Sequence, residues 1–96
     1  MACQVLLEAR IKDGCHDELK AKFIELLPDT RSREGCIMLH LTKDLDDPSK
    51  LVIVELWESR GHYERYLQWR TDRGDMSALG ELMEDPSWRF LEPWGA

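Results

Sequence analysis

The chain has 96 residues, 43% of them hydrophobic, and its 13 Lys and Arg are outnumbered by 19 Asp and Glu, for a formal net charge of −6. This length predicts a single domain, residues 1–96, and the acidic balance excludes a nucleic-acid partner, which requires a basic surface. The N-terminus has no basic segment followed by a long apolar run, so we expect neither a secretion signal nor contact with a membrane.

The first third of the chain predicts a strand followed by a helix. Apolar and polar residues alternate over 5–11, which is typical of a strand with one buried face, and Gly14 follows its end. From about His16 the apolar residues recur at helical spacing, and Gly35 terminates the helix. Pro28 cannot donate a backbone hydrogen bond, so we expect the helix to kink or restart there.

The middle of the chain predicts an antiparallel hairpin. Residues 36–43 and 51–58 are rich in strand formers, and the connector 44–50 is dense in turn formers. Residues 52–54 are consecutive and apolar, which predicts a strand that is covered on both faces. If helices cover one face of the sheet, a second subunit would cover the other.

The last part of the chain predicts helices and a final strand. Ser59 is a natural N-cap for a helix over 63–70, and a short amphipathic helix over 76–83 is stopped by Pro86. Alternation over 87–91 predicts the last strand. The element order is therefore that of an α+β, ferredoxin-like βαββαβ fold, a four-stranded antiparallel sheet with helices on one face.

This fold supports many activities, so function must be argued from residues. An RNA-recognition version would carry aromatic and basic residues on its central strands, where this chain has aliphatic ones. A metallochaperone version needs a CxxC pair in its first loop, which has only Cys15. The three cysteines, none at metal-ligand spacing, predict reduced thiols in a cytoplasmic protein without a metal site.

Four short segments, in this order and at these intervals, resemble one known family. They are Ala9-Arg10-Ile11-Lys12 followed by Gly14, Arg33-Glu34-Gly35-Cys36, Asp44-Leu45-Asp46-Asp47-Pro48 and Val54-Glu55-Leu56-Trp57-Glu58-Ser59. Together they resemble the antibiotic biosynthesis monooxygenase (ABM) family of the dimeric α+β barrel superfamily. The resemblance implies a homodimer whose two sheets pack face to face, with a pocket between sheet and helices in each subunit. It also implies a range of activities, from quinol oxidation without metal or flavin to haem degradation and sugar isomerisation.

The chain departs from the family at several positions. Many members carry a His on the helix after the Trp-Glu-Ser segment, where this chain has Tyr66. A Tyr could hydrogen-bond a phenolic substrate, but its ordinary pKa of about 10 makes it a poor base. The haem-degrading branch uses an Asn, a Trp and a His, and the matching positions here are Leu7, Tyr66 and roughly Met76. We therefore do not expect haem degradation.

Three residues are candidates for a catalytic base. His40 lies mid-strand among apolar neighbours, and His62 lies in a first helical turn, where the helix dipole favours the neutral ring. Glu55 also has apolar neighbours, which would raise its pKa. Each has a structural alternative: a sheet histidine for His40, a solvated helix residue for His62, and an ion pair with Arg10 or another strand cation for Glu55.

Five residues are candidates for the substrate-binding wall of the pocket. They are Leu7, Trp57, Tyr63, Tyr66 and Trp69. Trp57 shares a strand face with Glu55 and could equally serve as packing. Trp69 lies off the main apolar stripe of its helix, so it would lean over the pocket or shield the edge of the dimer.

The favoured hypothesis is a cofactor-independent monooxygenase that oxidises a quinol or similar small aromatic with O2. Deprotonation of a phenol gives an anion that can itself reduce oxygen, and a dry apolar cavity confines the intermediates. The alternative is a non-catalytic small-molecule-binding or stress-response module on the same dimer. An isomerase of hydroxy-carbonyl compounds is a third reading, disfavoured by the apolar stripes.

Overall fold

The computed structural model describes all 96 residues. The elements are β1 (Cys3–Ile11), α1 (His16–Ser32), β2 (Cys36–Lys43), β3 (Lys50–Trp57), α2 (Arg60–Asp72), α3 (Asp75–Gly80) and β4 (Met83–Leu91). The four strands form one antiparallel sheet in the order β2-β3-β1-β4. The predicted ferredoxin-like α+β arrangement is therefore confirmed.

The hydrophobic core lies between one face of the sheet and the helices. Every second residue of β1 from Cys3 to Ile11 is buried, and β3 shows the same alternation. From the other side, α1 contributes Leu19, Phe23 and Leu26 to this core. The alternation follows from strand geometry, which points successive side chains to opposite faces.

The opposite face of the sheet is covered by no element of the chain. Its centre carries four half-buried aliphatic side chains, from here on called the open face: Leu6, Val52, Val54 and Leu56. Leu6 lies directly opposite Val54 in the ladder between β1 and β3. The run 52–54 is thus apolar on both sides of β3, although helices cover only one of them.

The helices differ from expectation at Pro28. α1 is 17 residues long and continues past Pro28 without the predicted restart. Pro28 is exposed, whereas Leu26 and Thr30 beside it are buried against the rest of the protein. Packing of that buried side offsets the single backbone hydrogen bond that proline removes. None of the helices is long and apolar enough to cross a membrane.

The last strand starts earlier than the sequence predicts. Met83, expected at the end of a helix, pairs with Ile11, and α3 ends at Gly80. Pro86 is therefore inside β4 rather than before it. A strand at the edge of a sheet tolerates proline, and Asp85, with φ of 52°, lies where the β1–β4 register shifts. The shift in register allows β4 to pair with β1 both before and after Pro86.

Candidate functional site

A cavity of about 40 Å³ lies between the sheet and the three helices. Twelve of its fifteen lining residues are hydrophobic, and the other three are Thr30, Glu55 and Arg70. The hydrophobic ones are Leu7, Phe23, Leu26, Leu27, Leu39, Ile53, Tyr63, Tyr66, Leu67, Met76, Leu79 and Met83. An apolar cavity with a few convergent polar groups is the usual composition of a small-molecule site.

Glu55 provides the only carboxyl group among the residues that line this cavity. The alternation of β3 points it toward the helices, where it is only 2% exposed. Trp57 Nε1 donates a hydrogen bond of 3.1 Å to Glu55 Oε1. The other oxygen, Oε2, receives no hydrogen bond from the protein, yet no fully buried side-chain oxygen or nitrogen lacks a partner. Oε2 therefore keeps some accessible surface, and Glu55 is one of the residues that line the cavity.

The environment of Glu55 changes its proton affinity. Burial raises its pKa from 4.5 to about 7, and the hydrogen bond from Trp57 acts in the opposite direction. No ion pair of the chain includes this carboxylate. The pairing with Arg10 considered from the sequence does not form, because Arg10 lies on the opposite face of the sheet, where its Nη1 donates to Ser49 Oγ at 2.8 Å. Glu55 can therefore both accept and release a proton near neutral pH.

A cluster of hydrogen-bonding partners surrounds the buried guanidinium of Arg70. Its Nη2 donates to the carbonyl oxygen of Leu26 at 2.7 Å and to Thr30 Oγ1 at 2.9 Å. Its Nη1 donates to Asp75 Oδ2 at 2.9 Å, and its Nε donates to the hydroxyl of Tyr66 at 3.2 Å. We call Arg70, Thr30, Tyr66 and Asp75 the Arg70 cluster. It ties α1, α2 and α3 together.

Two tyrosines form the aromatic side of the cavity. The ring of Tyr66 lies 4.9 Å from that of Trp57, and its hydroxyl is 2.9 Å from Thr30 Oγ1. The hydroxyl of Tyr63 accepts a hydrogen bond of 2.9 Å from Trp88 Nε1. Burial raises the pKa of both tyrosine hydroxyls, so they remain protonated at neutral pH. They can hydrogen-bond a ligand but are poor bases.

Of the three candidate bases, the structure brings only Glu55 to the cavity. His40 is exposed and lies beside the open face, paired with Val54 in the ladder. His62 lies in the first turn of α2, where its backbone N–H donates to Ser59 Oγ and its Nδ1 is 2.6 Å from the same oxygen. The N-cap expected at Ser59 is present, and His62 takes part in it.

Three of the five residues predicted for the substrate-binding wall line the cavity, and two do not. Leu7, Tyr63 and Tyr66 line the cavity, whereas Trp57 is fully buried behind the wall and holds Glu55. Trp69 is not a lining residue.

Trp69 instead lies within a group of arginines. The guanidinium carbons of Arg33, Arg70 and Arg73 are 4.2, 4.6 and 4.9 Å from its ring centroid. Stacked cations of this kind are stabilised by the negative face of the ring. The acidic chain thus has a local positive region beside its cavity.

Sequence reasoning did not single out Arg70, Thr30 or Asp75 as site residues. A signal existed for the first, because Arg70 shares the helical stripe of Tyr63 and Tyr66, and a charge on a buried stripe needs partners. Thr30, four residues after Leu26 on α1, gives a weaker version of the same signal. Nothing in the sequence marks Asp75. No group of three or more His, Cys, Asp or Glu side chains is arranged to hold a metal ion.

Comparison with known proteins identifies the family. The family model described as antibiotic biosynthesis monooxygenase matches residues 4–71. The chain belongs to this family. No curated protein matches the sequence significantly.

Solved structures share the ABM fold at low sequence identity. A conserved protein from Methanosarcina mazei has a TM-score of 0.87 at 19% identity, with 96% of this chain and 92% of that one covered. A provisional antibiotic biosynthesis monooxygenase from Deinococcus radiodurans gives 0.84 at 21% identity, covering 100% and 95%. SnoaB, a cofactor-independent oxygenase from Streptomyces nogalater, gives 0.84 at 13% identity, covering 99% and 95%. At such identities the likeness concerns the fold alone.

Proposed function

We propose that this ABM protein is a cofactor-independent monooxygenase that oxidises a quinol or a similar electron-rich phenol with O2, using Glu55 as the base. The observation that carries the proposal is the state of Glu55. Its carboxyl is almost fully buried, lines the cavity, has one oxygen that receives no hydrogen bond from the protein and has a pKa of about 7. A base with a pKa near the working pH is the most effective for proton transfer.

The reaction balances without an external reductant. Ionised Glu55 accepts the phenolic proton, and the resulting anion supplies electrons to O2. A carbon–oxygen bond forms on the ring, the O–O bond breaks, and the second oxygen atom leaves as water with two hydrogens from the substrate. A hydroquinone and O2 thus give a hydroxyquinone and water. Glu55 returns its proton to the departing oxygen and is ready for another cycle.

The remaining cavity residues support this chemistry. The aliphatic wall excludes water, which protects the anion and the oxygen intermediates from side reactions. The protonated hydroxyl of Tyr63 accepts a hydrogen bond from Trp88 and keeps its own hydrogen free to donate to a substrate oxygen. In the absence of ligand, however, about 40 Å³ is too little for an aromatic ring, since benzene occupies engineered cavities of about 150 Å³. The cavity must widen when substrate binds.

The test is oxygen uptake with a panel of hydroquinones, both neutral and carboxylated, in metal-free and flavin-free buffer. We expect uptake above the uncatalysed rate and a loss of about 10²- to 10⁴-fold in the Glu55→Gln variant, the usual contribution of general base catalysis. Glu58→Gln is the matched control, because Glu58 is the next acidic residue along the chain and its side chain is exposed. Uptake that never exceeds the uncatalysed rate, or that is equal in wild type and Glu55→Gln, would refute the proposal.

We further propose that the working protein is a homodimer joined through the open face. Leu6, Val54 and their aliphatic neighbours would be covered by the same residues of a second copy, an isologous arrangement. Sedimentation should give twice the chain mass, and Val54→Asp should give the monomer. A wild-type monomer at micromolar concentration would contradict this. Since His40 lies on the same side of the sheet, it would then belong to the interface and not to the chemistry.

One observation favours the non-catalytic alternative. The helix position at which many family members carry a His is Tyr66, whose hydroxyl is already engaged by Thr30 and Arg70. A binding module would show stabilisation by phenolic ligands without oxygen uptake. The thermal shift and the uptake assay on the same ligand panel separate the two functions.

A further inference from the structure

The carboxylate of Asp75 is shared between two arginines in different environments. Its Oδ2 accepts a hydrogen bond of 2.9 Å from Arg70 Nη1 and one of 3.1 Å from Arg73 Nε. The side chain of Arg70 is 2% exposed, whereas that of Arg73 is 50% exposed. Asp75 can therefore leave the buried arginine and still keep a counter-ion at the surface.

Asp75 begins α3, the shortest of the three helices that line the cavity. α3 is only six residues long, follows Gly74 in the left-handed conformation with φ of 83°, and ends at Gly80. It contributes Met76 and Leu79 to the cavity wall. Because the cavity must widen to hold an aromatic ring, an outward movement of this short segment is the simplest way to provide the space.

We propose that Asp75 holds the place of a substrate carboxylate, and that binding of a hydroxylated aromatic acid transfers Asp75 from Arg70 to Arg73 as α3 moves outward. The phenolic hydroxyl of such a ligand faces Glu55, and its carboxylate pairs with Arg70. This inference rests on the proposed function for the identity of the site, and it adds the substrate class: aromatic acids rather than neutral quinols.

The exchange satisfies the electrostatics of the site at each stage. Removing one partner of a buried ion pair leaves an uncompensated charge, which is strongly unfavourable. Here the ligand's carboxylate replaces Asp75 on Arg70, and Asp75 remains paired with Arg73. A ligand can shift such an equilibrium only by binding one state better than the other, and a neutral ligand gives Arg70 no replacement. The anion is thus the part of the ligand that opens the site.

The charge distribution around the cavity fits an anionic ligand. The chain as a whole is acidic, with a net charge of −6, but Arg33, Arg70 and Arg73 converge on Trp69 beside the Arg70 cluster. A local positive region beside a site raises the local concentration of anions. Two of these arginines, Arg70 and Arg73, lie at the junction of α2 and α3, next to the start of the helix that would move.

The test compares 4-hydroxybenzoate, whose hydroxyl and carboxylate lie at opposite ends of one ring, with its neutral amide, 4-hydroxybenzamide, by titration calorimetry without oxygen. The wild type should bind the acid at least tenfold more tightly than the amide. Asp75→Asn removes the competing anion and should tighten binding of the acid several-fold without changing that of the amide. Arg73→Met removes the surface partner of Asp75 and should weaken binding of the acid. These opposite changes are not expected of residues with a purely structural role.

Asp72→Asn is the matched control, because Asp72 is an exposed acid near the end of α2 that contacts Gln68 and not the arginines. It should alter neither affinity. Amide exchange of residues 75–80 should speed up when the acid binds and not when the amide is added. Equal affinity for the two ligands, binding of neither, or an Asp75→Asn variant indistinguishable from wild type would overturn the proposal.

The Glu55→Gln variant keeps this test separate from that of the reaction. It should lose oxygen uptake and retain the preference for the acid. A preserved preference without uptake in the wild type would refute the monooxygenase alone. Uptake from neutral hydroquinones without preference for the acid would refute the carboxylate exchange alone.

Discussion

Two buried charged groups line the same cavity, and they differ in how completely the protein satisfies them. The guanidinium of Arg70 donates four hydrogen bonds, to groups on three helices. The carboxyl of Glu55 accepts one, from Trp57 on its own strand. Burial alone therefore does not mark a catalytic group, because both are almost completely buried.

The difference has a physical consequence. A buried charge with most of its donors hydrogen-bonded is held in one protonation state and one position, so Arg70 joins the helices. A carboxyl with few partners is destabilised in its charged form, so Glu55 has a raised pKa and can exchange its proton. The cavity thus combines a rigid cationic end with a carboxyl that titrates near neutral pH.

The largest expected effect is the loss of stability when Arg70, the extensively hydrogen-bonded group, is replaced. Arg70→Met should lower the free energy of unfolding by about 3 to 5 kcal/mol, because it removes the donors to Leu26, Thr30 and Tyr66 from the interior. Urea denaturation measures the loss. Arg73→Met, which removes a half-exposed arginine bound to the same Asp75, should cost less than about 1 kcal/mol. Equal losses of unfolding free energy in the two variants would show that the hydrogen bonds of buried Arg70 contribute no more stability than those of half-exposed Arg73.

The next effect is the pH dependence of stability that Glu55 causes. Its pKa is higher in the folded chain, about 7, than the ordinary 4.5, so the folded state binds the proton more tightly. The stabilisation is complete below pH 4.5 and is lost as the pH rises through 7, by roughly 3 kcal/mol. Denaturation of wild type and Glu55→Gln over this range should show the loss in the wild type only. Parallel pH profiles would contradict a raised pKa.

A smaller effect is expected at the residue that supports the Arg70 cluster from α2. Tyr66→Phe removes a hydroxyl bonded to both Thr30 and Arg70, leaving Arg70 Nε without its partner. The cost should be about 1 to 3 kcal/mol in thermal or urea unfolding. Thr71→Val is a control on the same helix, since its hydroxyl is exposed and bonded only to the carbonyl of Leu67. A Tyr66→Phe variant as stable as this control would mean that the hydroxyl is dispensable.

The smallest effect concerns the single partner of Glu55. Trp57→Phe removes the hydrogen bond that lowers its pKa, so the pKa should rise further above 7, by up to about one pH unit. Carbon-13 NMR of the glutamate carboxyl groups follows this titration directly. Trp88→Phe is the matched control, because Trp88 donates to Tyr63 and not to Glu55. A fall in the pKa of Glu55 would exclude Trp57 as its stabilising donor.

The sequence predicts most of the fold because its signals are local and repetitive. The alternation over 5–11, the turn-rich connector 44–50 and the cap at Ser59 each produce the expected element. The failures at Pro28 and at Met83 share a cause: neighbours distant in sequence decided them. The buried side of α1 carries the helix past its proline, and pairing with β1 draws Met83 into β4.

The sequence predicts the candidate site less completely. Glu55 was proposed because an acid on an apolar strand face must be buried, and the structure places it in the cavity. His40 and His62 carry equally suggestive patterns, but neither pattern states which side of the sheet or helix meets the cavity. The separation of these three residues required the arrangement of the helices on the sheet.

By itself, the sequence determined the element order and the buried face of each strand, because the periodicity of two and the helical spacing follow from backbone geometry. Only the tertiary structure decided which polar groups meet. Arg70 reaches Thr30, 40 positions earlier, and Leu26, 44 positions earlier, and no local pattern specifies such a contact. Folding thus makes Arg70, which the sequence did not single out, a link between three helices, and leaves Glu55 able to exchange its proton.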